Sequence, residues 1–118
     1  MGRRPDGALE RDVLKVLWRS DGPQTPGEVR EQLDVDLAYT TVMTILARLH
    51  DKGLTNRSAR GRAFAYTATV SESELIAKRM SAELSVTKDR AGALVGFVGG
   101  LNKRDIAALR SVLEDDIG

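Results

Sequence analysis

The sequence predicts a mainly α chain with a small β-wing. A winged helix-turn-helix domain is expected over residues 1–70 and a helical dimerisation segment over 71–118. Three observations predict it. Ala38 to Leu54 reads as one helix with two faces, an apolar stripe of Val42, Ile45, Leu46 and Leu49, and a second face of Thr40, Thr41, Thr44 and Arg48. Most surface helices would carry mixed Lys and Glu on that second face. The segment after it, RSARGRAFAYTA, has the composition of a basic hairpin. Residues 71–118 then hold three short amphipathic patterns, too little chain to close an independent core.

Helix 1 is expected from Ala8 to Arg19, capped by Asp6, with Leu9, Val13, Leu14, Leu17 and Trp18 inward. Asp21-Gly22-Pro23 stops it. Thr25-Pro26-Gly27-Glu28 is a strong helix start: Thr25 as N-cap, Pro26 in the first turn, Glu28 as capping-box partner. Helix 2 runs from there to about Leu33, with Val29 and Leu33 inward. Asp34-Val35-Asp36 makes the turn into helix 3, over about 38–53, and Gly53 is expected just past its end. Two strands follow, Leu54–Ser58 and Ala63–Thr69, around Arg60-Gly61. Phe64, Tyr66 and Ala68 should share one face of the second strand.

Ser71-Glu72-Ser73-Glu74 is a second capping box and opens helix 4, with Ile76, Met80 and Leu84 in register. Helix 5 is expected over Lys88–Val98, with Ala91, Leu94, Val95 and Val98 apolar. Gly92 and Gly96 form a G-x-x-x-G there, a spacing that permits close helix approach. Asn102 caps helix 6, with Leu101 and Ile106 placed as a hydrophobic staple and Ile106, Leu109, Val112 and Leu113 as its stripe. Glu114, Asp115 and Asp116 oppose the helix dipole and should fray that end. The apolar faces of these helices need cover. A homodimer supplies it most simply, the alternative being a six-helix monomer.

The chain has 118 residues, 42% hydrophobic and 30% charged, with a net charge of +1, one His and no Cys. The net charge is uninformative, but its distribution is not. Arg48, Lys52, Arg57, Arg60 and Arg62 face only Asp51 within residues 48–62. The absence of cysteine excludes disulfides and thiolate metal sites and fits a reducing cytoplasm. No run of 18 apolar residues and no apolar core in the N-terminal stretch predict neither a membrane span nor a secretory signal. Catalysis lacks its parts: His50 lies beside Leu46 and Leu49 at a surface or core edge, and neither G-x-S-x-G nor H-E-x-x-H occurs. No cofactor or metal is expected.

Double-stranded DNA fits the residues better. In a helix-turn-helix, the second helix of the pair enters the major groove. Thr40, Thr41 and Thr44 can donate to phosphates or touch thymine methyls, and Arg48 can reach a phosphate or a guanine edge. Tyr39 either binds phosphate through its hydroxyl or packs under helix 2. Arg57, Arg60 and Arg62 would meet the backbone or minor groove from the wing. The alternative is a winged-helix protein-interaction adaptor without DNA binding. The basic wing weighs against it, because interface cores are depleted of such charge.

LERDVLKVLW, TPGEVREQL, AYTTVMTILARLHDKGL, RGRAFAYTA, LVGFV and LNKRDIAALRSVL together resemble the BlaI/MecI/CopY family of bacterial repressors over nearly the whole chain. The resemblance implies a homodimer on a dyad-symmetric operator, blocking transcription. It implies that Thr40, Thr41, Thr44 and Arg48 face DNA and that Arg60 and Arg62 belong to the wing. For the dimer seam it implies Ile76, Met80, Leu94, Val98, Leu109 and Leu113; Leu84 and Ile106 join them from the helix patterns above. The copper-responsive branch carries a C-terminal cysteine cluster that this chain lacks. The β-lactam branch is inactivated by a membrane sensor protease that cuts an Asn-Phe bond in helix 5. The matching position here is Gly96-Phe97, where the Phe is kept and the Asn is not.

Overall fold

The computed structural model describes residues 6–117, and the expected cap at the Asp6 side chain lies outside the side chains it describes. The order is α1 Asp6–Arg19, α2 Pro26–Gln32, α3 Tyr39–Asp51, β1 Thr55–Arg60, β2 Ala63–Ala68, α4 Glu72–Ser85, α5 Arg90–Gly99 and α6 Lys103–Ile117. Two compact units result, one ending at Ile76 and the other starting at Ala77. Leu75, in the first turn of α4, is buried with the first unit's core, so that turn belongs to the winged unit.

The winged unit closes around one cluster. α1 supplies Val13, Leu14, Val16 and Leu17, α2 supplies Val29, and α3 supplies Val42, Ile45, Leu46 and Leu49, joined by Leu54, Tyr66 and Leu75. Local chemistry sets the helix ends. Glu28 N–H donates to Thr25 Oγ1 at 3.3 Å and Thr25 N–H donates to Glu28 Oε1 at 2.9 Å, which completes the capping box. At the far end of α3, Gly53 takes φ +78°. Its N–H donates to the His50 carbonyl at 2.9 Å, and Leu54 N–H donates to the Leu49 carbonyl at 3.0 Å. That is a full Schellman motif, with Leu49 and Leu54 both buried beneath it.

The wing pairs antiparallel from Thr55↔Ala68 to Arg60↔Ala63, so its turn is Gly61-Arg62. The turn lies one residue later than expected, and Arg60 ends β1 instead of forming the turn. Gly61 alone has positive φ, +61°, which is the pattern of a II′ hairpin with Gly leading. Gln24, between α1 and α2, joins the outer edge of β2 as a single bridge residue, exchanging two backbone hydrogen bonds with Tyr66 at 3.0 and 2.8 Å. The expected alternation on β2 does not hold. Ala65 and Tyr66 are both buried, whereas Phe64 is 45% exposed. Burial there falls off towards the turn, because the hairpin outruns the helices that cover it.

In the unit from Ala77 onward, no described residue is buried. Asp89 caps α5 by accepting from Gly92 N–H at 2.9 Å, which starts that helix two residues later than expected. A Cβ at Gly92 would run into that carboxylate, whereas Gly96 has open space around it. Asn102 Oδ1 accepts from Asp105 N–H at 2.8 Å at the start of α6, and Leu101 and Ile106 are its partly covered staple pair. α4 differs in detail from its expected capping box. Ser71 Oγ accepts from Glu74 N–H, but the Glu74 carboxylate meets the Ser71 hydroxyl. α6 stays helical through Ile117 despite Glu114 and Asp115, since exposure to solvent weakens the dipole penalty. Among the described residues no helix is long and apolar enough to cross a membrane.

Candidate nucleic-acid interface

The burial of Val42, Ile45, Leu46 and Leu49 fixes how α3 is turned. At 100° per residue the opposite side carries Thr40, Met43, Thr44, Ala47 and, in the last turn, Asp51, with Thr41 and Arg48 on one flank and Tyr39 on the other. Thr40, Thr41, Thr44 and Arg48 are all exposed, and with Leu9 and Ile45 they line a shallow cleft of about 290 Å³. The structure therefore brings the four candidate residues of α3 together on one surface. Tyr39 is 40% exposed, and its hydroxyl has no partner among the described residues.

Two features of α3 restrict what these side chains can offer. Thr44 Oγ1 donates to the Thr40 carbonyl at 3.0 Å, so its proton is already engaged. The N-cap is Ala38, which has no side-chain hydrogen bond to give, and the first turn holds no acidic residue. The first N–H groups of α3 therefore point outward unpaired by any cap, an arrangement that attracts phosphate. Around the helix, side-chain bonds fix its pose. Arg30 Nε donates to the Leu37 carbonyl at 2.9 Å, just ahead of the N-cap. His50 Nδ1 donates to the Thr55 carbonyl at 3.1 Å and ties the end of α3 to β1.

The basic cluster divides into residues held by the fold and residues left outward. Lys52 Nζ meets both carboxylate oxygens of the buried Glu10 at 2.9 Å, so its charge serves the fold. Arg60 donates to Glu28 Oε1 at 2.7 Å and to the Pro23 carbonyl at 3.2 Å. In this conformation it clasps the wing to the start of α2 rather than projecting outward. The Thr25 backbone N–H first, and Arg60 beside it, hold the Glu28 carboxyl below its ordinary 4.5. The clasp is therefore retained at neutral pH and loosens only as pH falls through that lowered value. Arg57 lies over the Phe64 ring, 4.3 Å from its centroid, a cation–π contact that stiffens the wing diagonally across the strands. Arg62 occupies the second position of the turn. Both it and Arg48 are exposed and unpaired with any other described residue.

Sequence reasoning missed Met43, which is 46% exposed on the outer side of α3. The signal was present, since an apolar residue 100° off the buried stripe has no place in the core. It also missed the Gln24 bridge to β2 and Ala38 as an open N-cap. Among the described residues, no group of three or more His, Cys, Asp or Glu side chains could hold a metal ion.

Three helices, a two-stranded wing and an uncapped, Thr- and Arg-lined second helix of the pair define a winged-helix DNA-binding protein. Residues 7–115 match the penicillinase repressor family, and the chain belongs to it. It is 40% identical over 114 residues to the transcriptional regulator BlaI of Mycobacterium tuberculosis, across 92% of this chain and 83% of that protein. It is 36% identical over 69 residues to the penicillinase repressor of Bacillus licheniformis, across 57% of this chain and 53% of that protein. Among solved structures, a mutant form of MepR from S. aureus is similar in fold, with a TM-score of 0.51 at 17% identity over 92% of this chain and 75% of that one.

Proposed function

We propose that this protein is a homodimeric transcriptional repressor that occupies a dyad-symmetric operator and acts by binding, without a chemical step. α3 enters the major groove, Thr40, Thr41, Tyr39 and Arg48 meet phosphate or base edges, and Arg57 and Arg62 reach the backbone or minor groove. Arg60 holds the wing in place and meets DNA only if it releases Glu28. The observation that carries this reading is the exposed Thr- and Arg-lined outer face of α3 beside an uncapped N-terminus whose first turn holds no acidic residue. The setting is the cytoplasm, where operator DNA is accessible.

The helices from Ala77 onward are the dimerisation part in this reading. α5 reads RAGALVGFVG, has a single charged residue and buries nothing within one chain. A helix that is apolar on nearly all sides is stable in water only when something covers it. Met80, Leu84, Leu94 and Phe97 line an apolar cleft of about 660 Å³, and Val98, Leu109 and Leu113 are also exposed. A second copy of the chain matches these surfaces with its own, and Ile76 and Ile106 extend the seam. A membrane sensor protease acting as antirepressor would find the Gly96-Phe97 bond inside α5, so cutting there requires that helix to unwind.

Replacing Arg48 by Ala tests the assignment of α3. Operator binding is expected to weaken by about 1–3 kcal/mol, measured by gel shift on selected and on random duplexes. An equal loss on both places Arg48 on phosphate, and a loss confined to the selected duplex places it on a base. Unchanged binding to both duplexes contradicts the assignment.

A further inference from the structure

We propose that α3 reads thymine C5-methyl groups, with Met43 as the specificity-determining side chain and Thr44 beside it. The proposal rests on α3 being the recognition helix and names the base feature it recognises. Two independent observations carry it. Met43 is 46% exposed although the neighbouring Val42, Ile45, Leu46 and Leu49 are no more than 4% exposed. The core of the winged unit therefore closes without it. Thr44 has its hydroxyl proton on the Thr40 carbonyl, which leaves it a methyl group and a lone pair to present.

These side chains lie next to one another. Met43 and Ala47, and Thr40 and Thr44, are i, i+4 pairs, so the exposed Thr40, Met43 and Thr44 and the half-buried Ala47 form one uncharged patch on the outward face, ahead of Asp51. α3 contains no Asn, Gln or Lys, which leaves Arg48 as its one side chain able to make a bidentate contact with a base. In the major groove, thymine alone presents a methyl group, and small apolar side chains recognise it. A flexible thioether adapts its shape to such a methyl. The polar groups flank this patch: Thr41 and Arg48 lie on one side and Tyr39 on the other, where the phosphate strands run. The patch thus supplies specificity while its flanks supply affinity.

The test begins with duplexes that the full-length protein selects from a random-sequence library. Each thymidine of a half-site is then replaced singly by deoxyuridine, which removes the methyl and keeps base pairing. At one or two positions per half-site, affinity is expected to fall roughly 3- to 5-fold, the effect of one buried methyl. At one of those positions at least, Met43→Ala should bind the parent and the deoxyuridine duplex equally, as should Met43→Gln, which keeps the side-chain length if the alanine variant does not fold; a second position that stays sensitive is the one Thr44 reads. Wild-type protein that binds every deoxyuridine duplex like its parent overturns the proposal, and so do Met43 variants that keep the sensitivity at every position. Failure of the library to yield any enriched sequence overturns the recognition-helix reading itself.

Discussion

Leu94→Asp is expected to convert the protein to monomers and to abolish operator binding at concentrations where the wild type binds. Leu94 is 46% exposed in the single chain and lines the apolar cleft with Met80, Leu84 and Phe97. A carboxylate buried in a seam between two copies costs several kcal/mol per protomer. Since each 1.4 kcal/mol is tenfold, the dimer should weaken by roughly a thousandfold or more. The winged unit closes its core without this residue, so its thermal transition should persist. Sedimentation equilibrium and circular dichroism on the same sample separate the two effects. A variant that remains dimeric would place the seam elsewhere.

The second large effect is on stability. Leu46→Ala should destabilise the winged unit by about 2–5 kcal/mol, because Leu46 is fully buried and truncation leaves a cavity. Against a total of roughly 5–15 kcal/mol for a domain, that is a large fraction. For a unit of this size the melting temperature should fall by more than about 10 °C, as read from thermal unfolding. A loss below about 1 kcal/mol would mean that α3 is turned differently. The outward placement of Thr40, Met43, Thr44 and Arg48 would then be wrong as well.

What the sequence made legible was chemistry of short range. The Thr25–Glu28 capping box spans three residues, and Gly53 ends α3 through bonds to residues three and five positions back. The stripe of Val42, Ile45, Leu46 and Leu49 needed only the helical period, and it oriented the face that carries Thr40, Thr41, Thr44 and Arg48. What stayed hidden depends on partners distant in sequence. Arg60 meets Glu28 across 32 positions, and Lys52 meets Glu10 across 42. The basic cluster counted from the sequence therefore includes two cations that are paired within the fold, and one of them, Arg60, was a candidate for DNA contact. Phe64 was misplaced because alternation shows which side a residue faces, not where the cover over a strand ends. Met43 was passed over because the polar face was read by its threonines alone.

In the proposed dimer, two copies of α3 reach adjacent major grooves of one duplex. Hydroxyl-radical footprinting of the wild-type protein on a genomic fragment that it selects tests this most directly. The expected result is two protected patches related by a dyad, with half-site centres about 34–36 Å apart along one face or at a multiple of that spacing. A single asymmetric patch, or no protection on any fragment, would contradict it.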